Sequence, residues 1–141
     1  MLQTLERDGV DHALVGGLAV AVWGAPRATK DIDLLVRRQD LARALEAVAR
    51  VGFTLRALPM EFKDGTEVQR VNKVDADGNL MTVDFMIADA NLTAAWASRV
   101  RLPFADGVVS VVSREMLIGM KARAARPQDL ADIQSLQDLD R

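Results

Sequence analysis

The sequence predicts an α+β fold: one mixed β-sheet with flanking helices, closed by a C-terminal helical pair. Short runs of alternating apolar residues bounded by Gly, Asp and Asn recur between residues 11 and 112 and read as strands. Stretches with a period near 3.6 interrupt them, most clearly at 40–51. Helical pattern also occupies 114–125 and 127–138, on the two sides of Pro127. The 141 residues fit a single domain over 1–141, with a core at about 10–112 and C-terminal helices at about 113–139.

The elements follow in order. Residues 2–8 form a short helix ended by Gly9, and 11–15 (DHALV) a strand. Gly16-Gly17 then turns the chain into a small-residue helix, LAVAVWG. The loop 25–30 leads to DIDLLV, residues 31–36, a second strand. In the helix 40–51, Leu41, Leu45 and Val48 share a face, and Gly52 follows the end. Strands are expected at 53–58, 68–74 and 80–87, the last two joined by the hairpin signal Asp75-Ala76-Asp77-Gly78-Asn79. A short helix at 91–98 precedes a hairpin of 99–104 with 108–112 across Ala105-Asp106-Gly107. Ser113 can cap the next helix, with Leu117, Met120 and Ala124 inward, and Pro127 suits the first turn of the last one.

Composition removes several chemistries. There is no cysteine and His12 is the only histidine, so disulfides, thiol nucleophiles and multi-histidine metal sites are excluded. A net charge of −2 predicts weak standing affinity for nucleic acid, although a local basic patch would suffice for an RNA. The opening MLQTLERDGVDH has no long apolar stretch, so the expected location is the cytoplasm, away from a membrane. Trp23 and Trp96 read as core rather than as a stacking platform, and His12 as packed or solvated.

What remains is carboxylates, lysine, arginine and backbone groups. Asp31 and Asp33 lie two apart on a strand and point to one face. An isolated D-x-D is equally a turn acid followed by an edge acid, both in water. Asp84 changes the weighing, because it sits in the apolar run MTVDFMI and shares a face with Thr82 and Met86. If its strand pairs beside 31–36, three carboxylates converge, and they can ionise together only around cations such as two Mg²⁺. That arrangement suits phosphoryl transfer. The Gly16-Gly17 turn lets backbone amides approach a phosphate, or is simply a tight strand-to-helix turn. Arg27 and Thr29 on the next loop can add a fork and a hydroxyl, while Lys30 reads as solvated. Lys121 reads either as a snorkelling lysine or as a site residue, Asp129 as a dipole partner or a site residue, and Asp132 as a structural ion-pair partner.

The string VGGLAVAVWGAPRATKDIDLLV resembles the opening motif of the DNA polymerase β-like nucleotidyltransferase superfamily. Val15-Gly16-Gly17, a spacer, Asp31-Ile32-Asp33-Leu34 and later Val83-Asp84-Phe85 match its pattern. Arg27, Thr29, Asp31 and Asp33, with MKARAARPQDLADI supplying Lys121, Arg126, Asp129 and Asp132, look most like the AbiEii-type toxin group and its small stand-alone relatives. The resemblance covers roughly 10–90 and 113–136. It implies a nucleotidyltransferase-type sheet and a metal-dependent transfer of a nucleoside monophosphate from a nucleoside triphosphate to a hydroxyl. Asp31, Asp33 and Asp84 would be the metal-binding and catalytic acids, with Mg²⁺ (two ions, Mn²⁺ as a substitute). Gly16, Gly17, Arg27, Thr29, Lys121 and Asp129 would bind nucleotide. The acceptor class, whether RNA, protein or small molecule, is not readable, and an antitoxin partner is compatible with the resemblance. Two other readings stand beside it: a catalytically weak or inactive nucleotide-binding module acting through a partner protein, and a D-x-D glycosyltransferase.

Overall fold

Alternating apolar runs pair into a sheet, and in this chain the pairing brings distant acids together. The computed structural model describes residues 1–26 and 28–140. Among them, α1 (Leu2–Arg7), β1 (Ala13–Val15), α2 (Gly16–Val22) and β2 (Asp31–Val36) lead to α3 (Leu41–Ala49). Then come β3 (Leu55–Arg56), β4 (Met60–Glu61), β5 (Glu67–Val74), β6 (Leu80–Ile87) and α4 (Thr93–Ala97). β7 (Val100–Phe104), β8 (Gly107–Val111), α5 (Arg114–Ala124) and α6 (Pro127–Asp138) complete the chain. The strands form one mixed sheet in the order β3-β5-β6-β2-β1-β8-β7, with β4 also pairing β5.

The central pairing is β2 with β6, parallel, which sets Asp33 opposite Asp84 and Asp31 opposite Thr82. On β2's other side β1 runs antiparallel, with Val15 opposite Asp33. The strand that leads into the Gly16 turn therefore ends beside the acids. The β5–β6 hairpin is held by its turn: Asp75 accepts from the amides of Asp77 and Asn79, each at 2.9 Å, and Gly78 takes φ +83°. Counting back from that turn places Arg70 opposite Asp84.

Leu34, Leu35, Val36, Val71, Val83 and Phe85 are fully buried and form the middle of the core, joined by Leu5, Leu14, Leu117 and Leu136 from neighbouring elements. The Ser113 hydroxyl accepts from the Met116 amide at 3.1 Å and caps α5, as its position predicts. Pro127 occupies the first turn of α6. His12 is buried and its Nδ1 lies 2.9 Å from the Val10 carbonyl. Trp23 donates to the Val112 carbonyl at 2.9 Å, and both tryptophans pack against the core.

Two local expectations fail. The strand expected at 53–58 survives only as β3: the Phe53 amide is taken by the Val48 carbonyl at the end of α3, and Pro59, without an N–H for the ladder, separates β3 from the two-residue β4. Ala124 is exposed rather than inward, since α5 ends there in a left-handed turn at Ala125 (φ 52°) that swings the chain into α6. No helix among the described residues is long and apolar enough to cross a membrane.

Candidate active site between the sheet and the C-terminal helices

Asp33 and Asp84 occupy neighbouring positions on parallel strands, about 4.8 Å apart along the hydrogen-bonding direction. Asp31 lies on the same face two residues earlier and is exposed, Asp33 is half-buried, and Asp84 is buried. All three line one cavity of about 380 Å³, walled on the other side by Leu117, Met120, Lys121, Arg126 and Asp129. Burial pushes the Asp33 carboxyl up to about 6, and the negative charges of Asp84 and Asp31 add to the shift. Lys121 and Arg126 oppose it, which places both cations within electrostatic reach of Asp33.

Asp84 is already paired. Arg70 donates from Nε to Oδ1 at 2.8 Å and from Nη2 to Oδ2 at 2.9 Å, a bidentate fork. The Arg70 guanidinium is held protonated more firmly than usual, first by this hydrogen-bonded pair and further by Asp31 and Asp33. Among the described residues, no three acidic or histidine side chains are assembled into a ready metal cage. The donor set nevertheless fits a hard divalent cation: the facing groups are carboxylate oxygens, and a guanidinium already stands as the cation on one of them.

Gly16 takes φ +68°, and a Cβ there would run into the Asp33 carboxylate, with Asp33 Cβ itself 3.1 Å away. The first glycine of the pair is thus required by the acid's close approach to the backbone. Gly17, the second residue of α2, is buried. Gly16 and Gly17 line a second depression of about 570 Å³ with Thr29, Lys30 and Gln128, which shares Asp31, Asp33, Lys121, Arg126 and Asp129 with the first. Thr29 donates its hydroxyl to the Asp31 carbonyl at 3.0 Å and so fixes the entry into β2. Arg27 lies outside the described residues.

Lys121 is 5 % exposed, with its amine 2.8 Å from Asp132 and 3.5 Å from Asp129. It is therefore neither snorkelling nor solvated. Asp129 also accepts from the Arg126 backbone amide at 3.1 Å and from Arg126 Nε at 2.7 Å, closing a capping box on α6. The Arg126 hydrogen bonds hold the Asp129 carboxyl below the usual carboxylate range. Gln128 donates to Asp132 at 2.9 Å. A third, mainly apolar trough of about 640 Å³ adjoins the first cavity through Phe62, Met86 and Met120 and is also lined by Leu92, Lys63 and Arg123.

Sequence reasoning omits two contributors. Arg70 was legible from the hairpin register, which carries pairing back from the Asp75–Asn79 turn to Asp84. The wall formed by Met60 and Phe62 was not, because the expected strand stops at 58.

A mixed sheet with paired acids on its central parallel strands, set against a glycine turn that opens a helix, defines the nucleotidyltransferase fold. The chain matches the family model described as "Nucleotidyl transferase AbiEii toxin, Type IV TA system" over residues 2–140, and it belongs to that family of enzymes. No curated protein matches it in sequence. Solved structures share its fold. The lincomycin-bound lincosamide antibiotic adenylyltransferase LnuA is 15% identical with a TM-score of 0.64, covering 96% of this chain and 91% of its own. TM1012 from Thermotoga maritima is 12% identical with a TM-score of 0.68, covering 97% and 88%. The antibiotic-resistance factor ANT(2'')-Ia is 19% identical with a TM-score of 0.65, covering 96% and 76%.

Proposed function

We propose that the chain, acting as one domain, moves a nucleoside monophosphate from a nucleoside triphosphate to a hydroxyl of an RNA, protein or small-molecule acceptor. The observation that carries this reading is the lateral pairing of Asp33 with Asp84, with Asp31 on the same face, in a cavity that opens onto the polar trough beside Gly16. Asp31, Asp33 and Asp84 would hold divalent cations, two Mg²⁺ with Mn²⁺ as a substitute. Bound there, the cations would supply the charge that neutralises the triphosphate and its departing pyrophosphate.

The remaining work falls to the chain. The Gly16-Gly17 turn and Thr29 line the polar trough and would seat the phosphates. Lys121 and Arg126, aimed by Asp129, would present positive charge to the same group. Asp84 would take the acceptor's hydroxyl proton. The acceptor oxygen bonds to the α-phosphorus, the bridging α–β P–O bond breaks, and pyrophosphate leaves with the electron pair. The apolar trough offers its Phe62 and Met120 faces to the base or acceptor. Within the family this would be the toxin half of a toxin–antitoxin pair, active in the cytoplasm with an antitoxin as partner.

Incubation of the purified chain with each α-labelled triphosphate and Mg²⁺ or Mn²⁺, in the presence of RNA, protein and small-molecule fractions, should transfer label from at least one nucleotide. Asp33→Asn should reduce the transfer by at least about a thousandfold. Absence of label from all four nucleotides would remove the transfer reading. The Arg70–Asp84 pair favours one second reading. If Arg70 never leaves, the chain is a nucleotide-binding module acting through a partner protein, and calorimetry would then show binding without turnover.

A further inference from the structure

Asp84 is 8 % exposed, and both of its carboxylate oxygens are taken by one guanidinium. A bidentate fork on a buried carboxylate is a strong, directional pairing. The proposed function, on which this inference rests, asks the same carboxylate to hold a divalent cation and receive a proton, which it cannot do while the fork takes both oxygens. Burial makes the alternative strict, because Asp84 stripped of every cation would be a charge held out of water.

Arg70 also differs from Lys121 in being able to leave. Its side chain is 41 % exposed on the cleft wall, whereas Lys121 is 6 % exposed and bridged between Asp129 and Asp132. The Arg126 side chain is more exposed still, at 76 %, but its fork sits on Asp129 of α6 and not on one of the three sheet acids. Among the three cations lining the cleft, Arg70 is thus the one that combines a ligand-side acid with a path into solvent.

We infer that Arg70 is the resident counter-cation of the acid cleft: its guanidinium occupies Asp84 until a divalent cation displaces it, and it then turns to the phosphates of the incoming triphosphate. The exchange keeps Asp84 neutralised throughout and delivers the freed positive charge to the group that needs it. Metal and nucleotide therefore favour each other's binding, because each takes one partner of the pair.

The test is calorimetric titration of Mn²⁺ into the full chain without nucleotide, with free Mn²⁺ followed in parallel by electron paramagnetic resonance. Arg70→Met should bind Mn²⁺ about tenfold more tightly than wild type, because the competing cation is gone. Arg70→Lys, which keeps the charge and loses the fork, should fall between them, and Asp84→Asn should abolish the gain in the Arg70→Met background. If wild type binds Mn²⁺ and both Arg70 variants bind it equally or more weakly, Arg70 is only a structural partner and the inference fails, whatever becomes of the proposed function. If no variant and no wild type binds Mn²⁺ at millimolar concentration, the metal-dependent function fails and takes the exchange with it. Should Arg70→Met not fold, Arg70→Lys decides alone: tighter Mn²⁺ binding supports the exchange and unchanged affinity overturns it.

Discussion

Asp33 on the sheet and Asp129 on α6 line the same cavity, yet their surroundings push them in opposite directions. Asp33 faces two other carboxylates and is driven up to about 6 by burial and by their charge. Asp129 is buried more completely and is held below the usual carboxylate range by Arg126. In the helical group Lys121 bridges Asp129 and Asp132, Arg126 forks onto Asp129 and Gln128 donates to Asp132. The sheet group is left short of positive charge, with Arg70 on Asp84 as its direct ion pair. One acid cluster cross-links two helices, and the other holds an unmet demand for a cation. Burial alone does not separate structure from function here; the partners do.

Breaking each side should show the difference first in stability. Lys121→Met leaves Asp132 and Asp129 buried without their shared ammonium, and should cost about 3–5 kcal/mol in urea unfolding. Asp33→Asn, on the sheet side, removes a charge that its neighbours repel and should leave the metal-free chain equally or more stable. A stabilising Lys121→Met or a strongly destabilising Asp33→Asn would erase the contrast.

A smaller effect separates two glycines with nearly the same left-handed backbone, Gly9 and Gly16. At Gly9 (φ +66°) an added Cβ would meet nothing within 4 Å, whereas at Gly16 (φ +68°) it would meet the Asp33 side chain. Gly9→Ala should cost about 1 kcal/mol from backbone conformation alone. Gly16→Ala should cost about 2 kcal/mol, the excess reading the contact with Asp33. Equal costs by denaturant titration would mean that Asp33 gives way easily and that the glycine serves only the turn.

Much of this was open to sequence reading. β2 and β6 match the expected 31–36 and 80–87, because both are long apolar alternations with sharp turn chemistry at one end. Ser113 and Pro127 mark α5 and α6 for the same local reasons. The parallel pairing of β2 with β6 was legible only as a condition, since nothing local in either strand names its partner. Lys121 was the harder case: a lysine on an amphipathic helix reads as wet, and only the packing of α6 against α5 brings Asp129 and Asp132 to bury it. The strand expected at 53–58 failed at its start, where the Phe53 amide goes to the end of α3, and Pro59 without an N–H separates what remains from β4.

An effect of similar size sharpens the comparison through pH. Asp33 has a folded pKa of about 6 against an ordinary value of 3.8, so the folded chain holds its proton more tightly than the unfolded one. The stability this contributes is complete below about pH 4 and is lost as pH rises through 6. Asp129 is shifted the opposite way, so its contribution is present above the unfolded carboxylate range and is lost only as pH falls below it. Between about pH 4 and 6.5 the sheet acid therefore acts with little interference from Asp129, and metal-free unfolding free energy should fall by about 1–2 kcal/mol, discounted for the partial exposure of Asp33. Urea titrations in chelator should show this slope in wild type and lose it in Asp33→Asn, and saturating Mg²⁺ should flatten it by giving the ionised carboxylate its cation. A slope that persists in Asp33→Asn would move the titration to another group and leave the sheet acids no different from those on α6.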